Sequence, residues 1–210
     1  LGSALGTQRQ AVAAHPAEGL IGSRQGARRV VLASGRSQSF EELRSFAQWA
    51  REMGREATGR VVEQTYRPAT HEDAVRLQIP LRTPVLHVLR LRGLDGDPVL
   101  LERTVYANWI SPAVESIEPD CPSVTQRLYD DTGLVFAYGE HLIDAVACGA
   151  REAELLHVRR TSPLLRVRRV TTTREGRPVE WSDDRYRPDA VTFSVHNSIG
   201  NNALSRKTAE

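Results

Sequence analysis

A chain of 210 residues, 40% hydrophobic and 26% charged, has room for one main domain plus a smaller piece and the balance of a folded globular protein. No apolar run approaches the length that spans a bilayer, which excludes a membrane-spanning helix, and no signal peptide is expected. A net charge of +2 excludes a strongly polycationic nucleic-acid coat and leaves room for a local basic patch.

Residues 1–33 read as a unit of their own. Thr7 to Ala14 is alanine-rich and helix-prone, and Pro16 ends it. Leu20-Ile21 and Val30-Val31-Leu32 flank a turn containing Gly26, the pattern of a small β-hairpin. A helix and hairpin of this size bury little apolar surface, so they belong to a larger unit. The chain opens at Leu1 and its single methionine is Met53, so the expectation is that the true N-terminus lies upstream. Residues 34–38 have linker composition.

The main domain is expected over 39–200, with a tail at 201–210. Ser39 with Glu42 makes a capping-box pattern, and Phe40, Leu43, Phe46, Ala47, Ala50 and Met53 recur at helical spacing up to Gly54. Val61 to Tyr66 reads as a strand, and Thr70 with Asp73 opens a short helix. Strands follow at Val85 to Arg92, Val99 to Tyr106, about Val135 to Ala147, Leu164 to Thr173, Val179 to Tyr186 and Val191 to His196. Helices interrupt them at Ser123 to Asp130 and Arg151 to Leu156. This is an α+β pattern around a largely antiparallel sheet.

Within it the sequence repeats. Leu77-Gln78-Ile79 matches Leu156-His157-Val158, Pro84 matches Pro163, and Leu89-Arg90-Leu91-Arg92 matches Leu165-Arg166-Val167-Arg168. Gly96-Asp97-Pro98-Val99 then matches Gly176-Arg177-Pro178-Val179, and Tyr106 matches Tyr186. The offset is 79 residues at the prolines (84 to 163), 76 along the Arg-x-Arg run (90 to 166) and 80 from the Gly-x-Pro-Val turn (96 to 176). Each copy reads as helix, loop, strand, turn, strand, and two such hairpins can pack as pseudo-symmetric halves of one sheet.

Of the 28 basic residues, 27 are arginine and one, Lys207, is lysine. Coding bias accounts for such a total without any function, so the question is which arginines are special. Strand parity puts Arg90 and Arg92 on one face and Leu89 and Leu91 on the other. On the return strand Glu102 and Tyr106 share a face; in the second hairpin Arg166 pairs with Arg168 in this sense, and Glu180 with Tyr186. Two readings stay open. One is a solvated salt-bridge ladder. The other is a polar pocket in which guanidinium forks hold an anion while Glu102 and Glu180 accept hydrogen bonds from hydroxyls or an amine. Ser39 and Ser123, the latter followed by Gln126 in a second capping-box pattern, stand at expected helix starts. Helix starts offer free N–H groups to anions, though capping alone accounts for both serines. Cys121 and Cys148 lack CxxC spacing, the six histidines lack metal-ligand spacing, and no GxGxxG, Walker or GxSxG pattern occurs.

Leu89 to Glu102, reading LRLRGLDGDPVLLE, resembles the signature of the UTRA effector-binding domain, which forms the C-terminal part of the HutC branch of the GntR family of bacterial transcription regulators. The likeness runs from about Ser37 to about Ser194. It takes in Ser39-Phe40, the Thr70 to Ile79 helix, Ser123 to Gly133, the Arg151 to Val158 helix, Gly176-Arg177-Pro178-Val179-Glu180 and Arg185-Tyr186-Arg187-Pro188-Asp189. The resemblance implies a chorismate-lyase-like antiparallel sheet flanked by helices, and a small polar effector, often a phosphosugar. By position, Ser39, Arg90, Arg92, Ser123 and Thr125 would hold the anionic group, and Glu102, Glu180 and Tyr186 would face the uncharged part.

The same resemblance makes residues 1–33 part of a winged helix-turn-helix: the end of the recognition helix, then the wing. Thr7, Arg9, Arg24, Gly26 and Arg28 would then lie near DNA. The chain departs from the family at Arg28, where the wing has a second glycine, and at His15-Pro16. What is implied is a cytoplasmic, ligand-responsive regulator, usually a repressor, acting as a homodimer on a palindromic operator, with no cofactor, metal or catalytic residue. The rival is an enzyme of the chorismate-lyase-like fold acting on a small carboxylated substrate; a bare sensing module without DNA contact is the third reading.

Overall fold

The computed structural model describes residues 45–194 together with the short segments 21–22, 30–31 and 38–39. The chain divides into two compact units, 1–36 and 37–210. In the first, β1 (Ile21–Gly22) pairs antiparallel with β2 (Val30–Val31). Thr7, Arg9, Arg24, Gly26 and Arg28 lie outside the described residues.

The second unit runs β3 (Gln38–Ser39), α1 (Phe46–Glu52), β4 (Ala57–Pro68), α2 (His71–Leu77), β5 (Pro84–Leu94) and β6 (Asp97–Tyr106). It continues with α3 (Ser111–Glu115), α4 (Val124–Thr132), β7 (Tyr138–Ala147), α5 (Ala150–Leu156), β8 (Pro163–Thr172), β9 (Pro178–Tyr186) and β10 (Phe193–Ser194). Six strands form one antiparallel sheet in the order β4-β5-β6-β9-β8-β7, and β10 pairs in parallel with β3. Helices α2 and α5 cover one face. The other face carries two separate apolar cores: Phe46, Trp49 and Ala50 of α1 on Leu100, Val167 and Tyr186, and Val114 and Leu128 of α3 and α4 on Leu86, Val88 and Tyr106.

Most local expectations hold for the reasons that suggested them. Thr70 and Asp73 close a full capping box on α2. Three differ. Ser39 is no helix cap: it sits in β3 opposite Ser194, and the capping box of α1 is made by Ser45 with Gln48. Ser123 caps α4, accepting from the Gln126 N–H (3.2 Å), but the box is incomplete because the Gln126 side chain donates to Asp130 (2.8 Å). Helix α3 escaped the sequence because Ile110, at its N-cap, makes no side-chain capping bond, so the usual start signal is missing.

The internal repeat is a pseudo-two-fold arrangement of the sheet. Ladder pairs exchange under an 80-residue step: Leu100 opposite Tyr186 becomes Glu180 opposite Tyr106, and both pairs occur. The loops repeat as well. Gln78 and His157 are left-handed C-caps (φ 54° and 55°), and the Ala107 N–H to Val179 carbonyl bond (2.9 Å) is mirrored by Arg187 to Val99 (2.9 Å). Each helix crosses the axis, α2 packing on β9 and α5 on β6.

The pairing corrects the offset read along the Arg-x-Arg strand. Arg90 lies opposite Glu102, and Arg169 opposite Ser182, so the counterpart of Arg90 is Arg169, 79 residues on (90 to 169), not Arg166. A slip of three residues reverses strand parity. Arg166 and Arg168 therefore point to the α2/α5 face, where both bind Asp144 of β7 (2.5 and 3.1 Å). For that pair the salt-ladder reading is correct.

Asp73 ties the two halves together. Fully buried, it accepts from Arg67 (2.5 Å), from the Thr70 N–H and hydroxyl (2.7 Å each) and from Trp181 Nε1 on β9 (2.9 Å). Burial works against its ionisation, but these donors outweigh it and hold the carboxyl below its ordinary range. The stabilisation is thus present at neutral pH and fades on acidification through the carboxylate range. Asp73→Ala should lower stability by roughly 3 kcal/mol, more than Glu152→Ala at the equivalent place on α5, as read by urea unfolding at pH 7.

Candidate functional site

Between the two apolar cores, on the face opposite α2 and α5, lies a polar cluster. Strand parity assembles it from alternate residues of four adjacent strands: Arg90 and Arg92 of β5, Glu102, Thr104 and Tyr106 of β6, Glu180, Ser182, Asp184 and Tyr186 of β9, and Arg169 and Thr171 of β8. Cross-strand partners point the same way, so a parity that is right on one strand is right across the sheet. On β7 the same face presents Gly139, Ile143 and Ala145, which are exposed, and His141, which is part-buried opposite Arg169.

Arg90 and Arg92 are each only 3% exposed. They share one carboxylate, Glu102, whose Oε2 lies 3.2 Å from Arg92 Nη1 and 4.0 Å from Arg90 Nη1. Their other donors meet backbone carbonyls. Arg92 Nη2 donates to Pro122 (2.6 Å) and Nε to Thr58 (3.3 Å), and Arg90 Nη2 donates to Cys121. Arg90 Nε is buried with no hydrogen-bond partner. The Phe46 ring lies beneath Arg92, 4.9 Å from centroid to guanidinium carbon. Cys121 and Pro122 belong to the segment 119–123, a strap that leads into α4 and is also tied to β4 by the Val61 N–H on the Pro119 carbonyl (2.9 Å).

The third arginine in this face, Arg169, carries no signal in the sequence repeat, where matching by residue type selects Arg166. It is bound to Glu180 (2.8 Å), which also accepts from the Tyr106 hydroxyl. Glu180, Asp184 and Tyr186 are buried. Asp184 accepts from the Ser182 hydroxyl (3.0 Å) and from the Arg103 N–H (3.3 Å), entering the β6–β9 ladder near its pseudo-two-fold axis. Ser123 follows the strap directly and Thr125 lies in the first turn of α4, both part-exposed; the Ser39 side chain lies outside the described residues.

Charge is unevenly shared here. Burial raises the pKa of Glu102, but Arg92, Arg90 and Arg169 outweigh it and keep the carboxylate ionised. Burial raises Glu180 and is only partly offset by Arg169. Asp184 is pushed up to about 7 by burial, with the charge of Glu102 adding to the rise. Burial first and Arg169 second lower His141, opposite Arg169 on β7, to about 4, so it stands neutral. A surface cleft of about 410 Å³ lies elsewhere, at Leu77–Ile79, Trp109 and Glu175–Pro178, and includes none of the expected ligand-binding residues.

The fold is a pseudo-symmetric antiparallel sheet with a polar cluster rich in guanidinium groups on one face. The chain belongs to the UTRA domain family, whose model matches residues 52–192. Among its relatives is the HTH-type transcriptional regulator GmuR of Bacillus subtilis (strain 168), 29% identical over 129 residues that cover 61% of this chain and 54% of GmuR. The chain thus spans about half the length of that relative. Another is the probable transcriptional regulator PhnF of Escherichia coli (strain K12), 26% identical over 91% of this chain and 79% of PhnF. The crystal structure of PhnF from Mycobacterium smegmatis superposes with a TM-score of 0.71 and 26% identity, covering 93% of this chain and 86% of that one. These relatives are named as regulators and not as enzymes, which sets the lyase reading aside.

Asp184 makes the site sensitive to pH. Its folded pKa lies above that of an unfolded aspartate, so the native state holds the extra proton between about pH 4 and 7. Its contribution to stability is full below that window and is lost as pH rises through it. Asp184→Asn should therefore flatten the decline in melting temperature between pH 4 and 7 relative to wild type, as read by thermal melts in low-salt buffers. An unchanged slope would show that Asp184 is ionised throughout.

Proposed function

We propose that this chain senses a small anionic metabolite at Arg90 and Arg92 and, as a ligand-responsive transcription regulator, converts its binding into a change in affinity for operator DNA, in the simplest form by releasing a repressor. One observation carries the reading: two desolvated guanidinium groups share a single carboxylate, and their remaining donors meet neutral carbonyls or nothing. A buried charge left without a counter-charge is costly, and an oxyanion seated there supplies it through charge-assisted bonds. A phosphosugar suits the arrangement. Its phosphate would meet Arg90 and Arg92 with Ser39, Ser123 and Thr125 around it, and its hydroxyls would meet Glu102, Glu180 and Tyr186. The family membership and the regulators named among the relatives support the DNA-directed half of the reading. The protein acts in the cytoplasm as a homodimer on a palindromic operator, with Thr7, Arg9, Arg24, Gly26 and Arg28 near the DNA.

The strap offers a route from site to response. An oxyanion that takes the guanidinium donors deprives the Cys121 and Pro122 carbonyls of them, so the strap loosens at the start of α4. A coupling of about 1–3 kcal/mol between effector and operator is sufficient for a useful switch.

In a gel-shift assay with the full-length protein, a hexose phosphate from a screened panel should weaken operator binding about 5- to 150-fold. Arg92→Ala should keep operator binding and lose the response. Absence of any operator binding, with or without metabolite, sinks the regulator reading. Thiol alkylation checks the strap. Cys121 is part-exposed, whereas Cys148 is buried and its thiol is pushed up by that burial. Saturating inorganic phosphate should speed alkylation of Cys121, and Arg90→Ala should speed it without phosphate.

A further inference from the structure

The two arginine heads lie over one bare point of the neighbouring strand. Gly59 of β4 is paired with Arg92 and shares its face of the sheet. An ideal Cβ built on Gly59 would fall 2.8 Å from Arg90 Nη2, 3.1 Å from Arg92 Nε and 3.4 Å from Arg92 Cδ. The space that any side chain would take at this position is where the two guanidinium groups converge. On the far side they meet the Cys121 and Pro122 carbonyls, and Arg92 Nε is drawn to the backbone of β4 by the Thr58 carbonyl (3.3 Å).

We propose that Gly59 is a positioning residue of the anion site: its missing side chain lets Arg90 and Arg92 converge as one pair on a single oxyanion, phosphate-like or carboxylate-like. The inference rests on the reading of Arg90 and Arg92 as the anion-binding pair. It adds a residue on a strand that contributes no charge to the site, and it separates site from fold. Glycine inside a strand weakens the strand through its conformational freedom, so alanine here carries no backbone penalty. The nearest atom it would meet, Arg90 Nη2, is the far end of a long, flexible side chain, and the Arg92 atoms need to give by only a few tenths of an ångström. Gly93, one residue past Arg92, is the contrast. A Cβ there would fall 2.6 Å from Thr58 Oγ1 and 2.9 Å from the Asp97 carbonyl oxygen, which is backbone and cannot give way. The same substitution therefore acts on the site at Gly59 and on the fold at Gly93.

The test uses full-length protein, inorganic phosphate as the probe, calorimetric titration for affinity and thermal melting for stability. Gly59→Ala should melt at or above the wild-type temperature yet bind phosphate about tenfold or more weakly, the size expected for losing one charge-assisted contact. Gly59→Val should be weaker still. Gly93→Ala should melt lower and keep wild-type phosphate affinity while folded. Wild-type affinity in Gly59→Ala, with binding lost in Arg92→Ala, overturns the role of Gly59 and leaves the anion site standing. A loss of affinity in Gly59→Ala matched by an equal fall in melting temperature and by the same loss in Gly93→Ala also overturns it. If wild-type protein takes up no phosphate, or Arg92→Ala takes it up unchanged, the anion-site reading fails and the role of Gly59 fails with it.

Discussion

The structure is organised around the burial of two guanidinium groups, those of Arg90 and Arg92, on one face of a sheet, with the part-buried Arg169 beside them. Arg90, Arg92 and Arg169 sit with Glu102, Glu180 and Asp184 between two apolar cores. Stripping water from an arginine costs several kcal/mol, recovered only where partners and hydrogen bonds are well placed. Much of the surrounding detail serves that need. The β6–β9 ladder admits an aspartate side chain, the Phe46 ring supplies a polarisable floor under Arg92, and the strap turns two carbonyls inward. The cores on either side keep water from screening these contacts.

The pseudo-two-fold arrangement duplicates the frame but not the chemistry. Under it Arg90 corresponds to Arg169, Gly59 to Gly139, Arg92 to Thr171 and Glu102 to Ser182. In the second half a single arginine, Arg169, is matched by one carboxylate, Glu180. In the first half two arginines share one carboxylate, and an appetite for negative charge remains. Equivalent backbones hold both halves, and a few substitutions move the charge imbalance to one side. The crossing of α2 onto β9 and α5 onto β6 interlocks the two halves.

How much of this was legible in the sequence follows from the range of each interaction. Alternation along a strand is local, so it predicts that Arg90 and Arg92, Glu102 and Tyr106, and Glu180 and Tyr186 each share a face of their strand, and they do; that all three pairs meet on one face of the sheet is a matter of cross-strand pairing. Capping boxes are local too, and Thr70 with Asp73 was read correctly. The helix near Ser39 shows the limit of that logic. Two nearby serines, Ser39 and Ser45, each carry an acid or amide three residues on, and the choice of cap belongs to the tertiary structure, which draws Ser39 into a strand beside Ser194. The misaligned Arg-x-Arg run fails for a related reason. Matching by residue type favours Arg166 and Arg168, whereas cross-strand pairing, a long-range fact, selects Arg169. Gly59 had no local signal, because it matters for what it lacks beside a neighbouring strand. Asp184 shares the parity of Glu180 and Tyr186, but its raised pKa depends on burial and on the distant Glu102.

The partners that hold the arginine pair are suited to the proposed anion site in a way that carboxylates would not be. A second acid on the strap would close the charge balance, as Glu180 does for Arg169, and an incoming anion would then have to displace like charge from a dry site. Carbonyl dipoles satisfy the guanidinium donors well enough to keep the cluster ordered, yet a neutral acceptor forms a weaker bond than an ionised one. An oxyanion can therefore replace them with a net gain. The carbonyls are backbone atoms of residues 121 and 122, immediately ahead of the Ser123 cap, so the exchange cannot occur without altering how α4 is tethered. On the proposed reading, ligand recognition and mechanical response share the same two hydrogen-bonding groups, and a small local exchange acts on a whole helix.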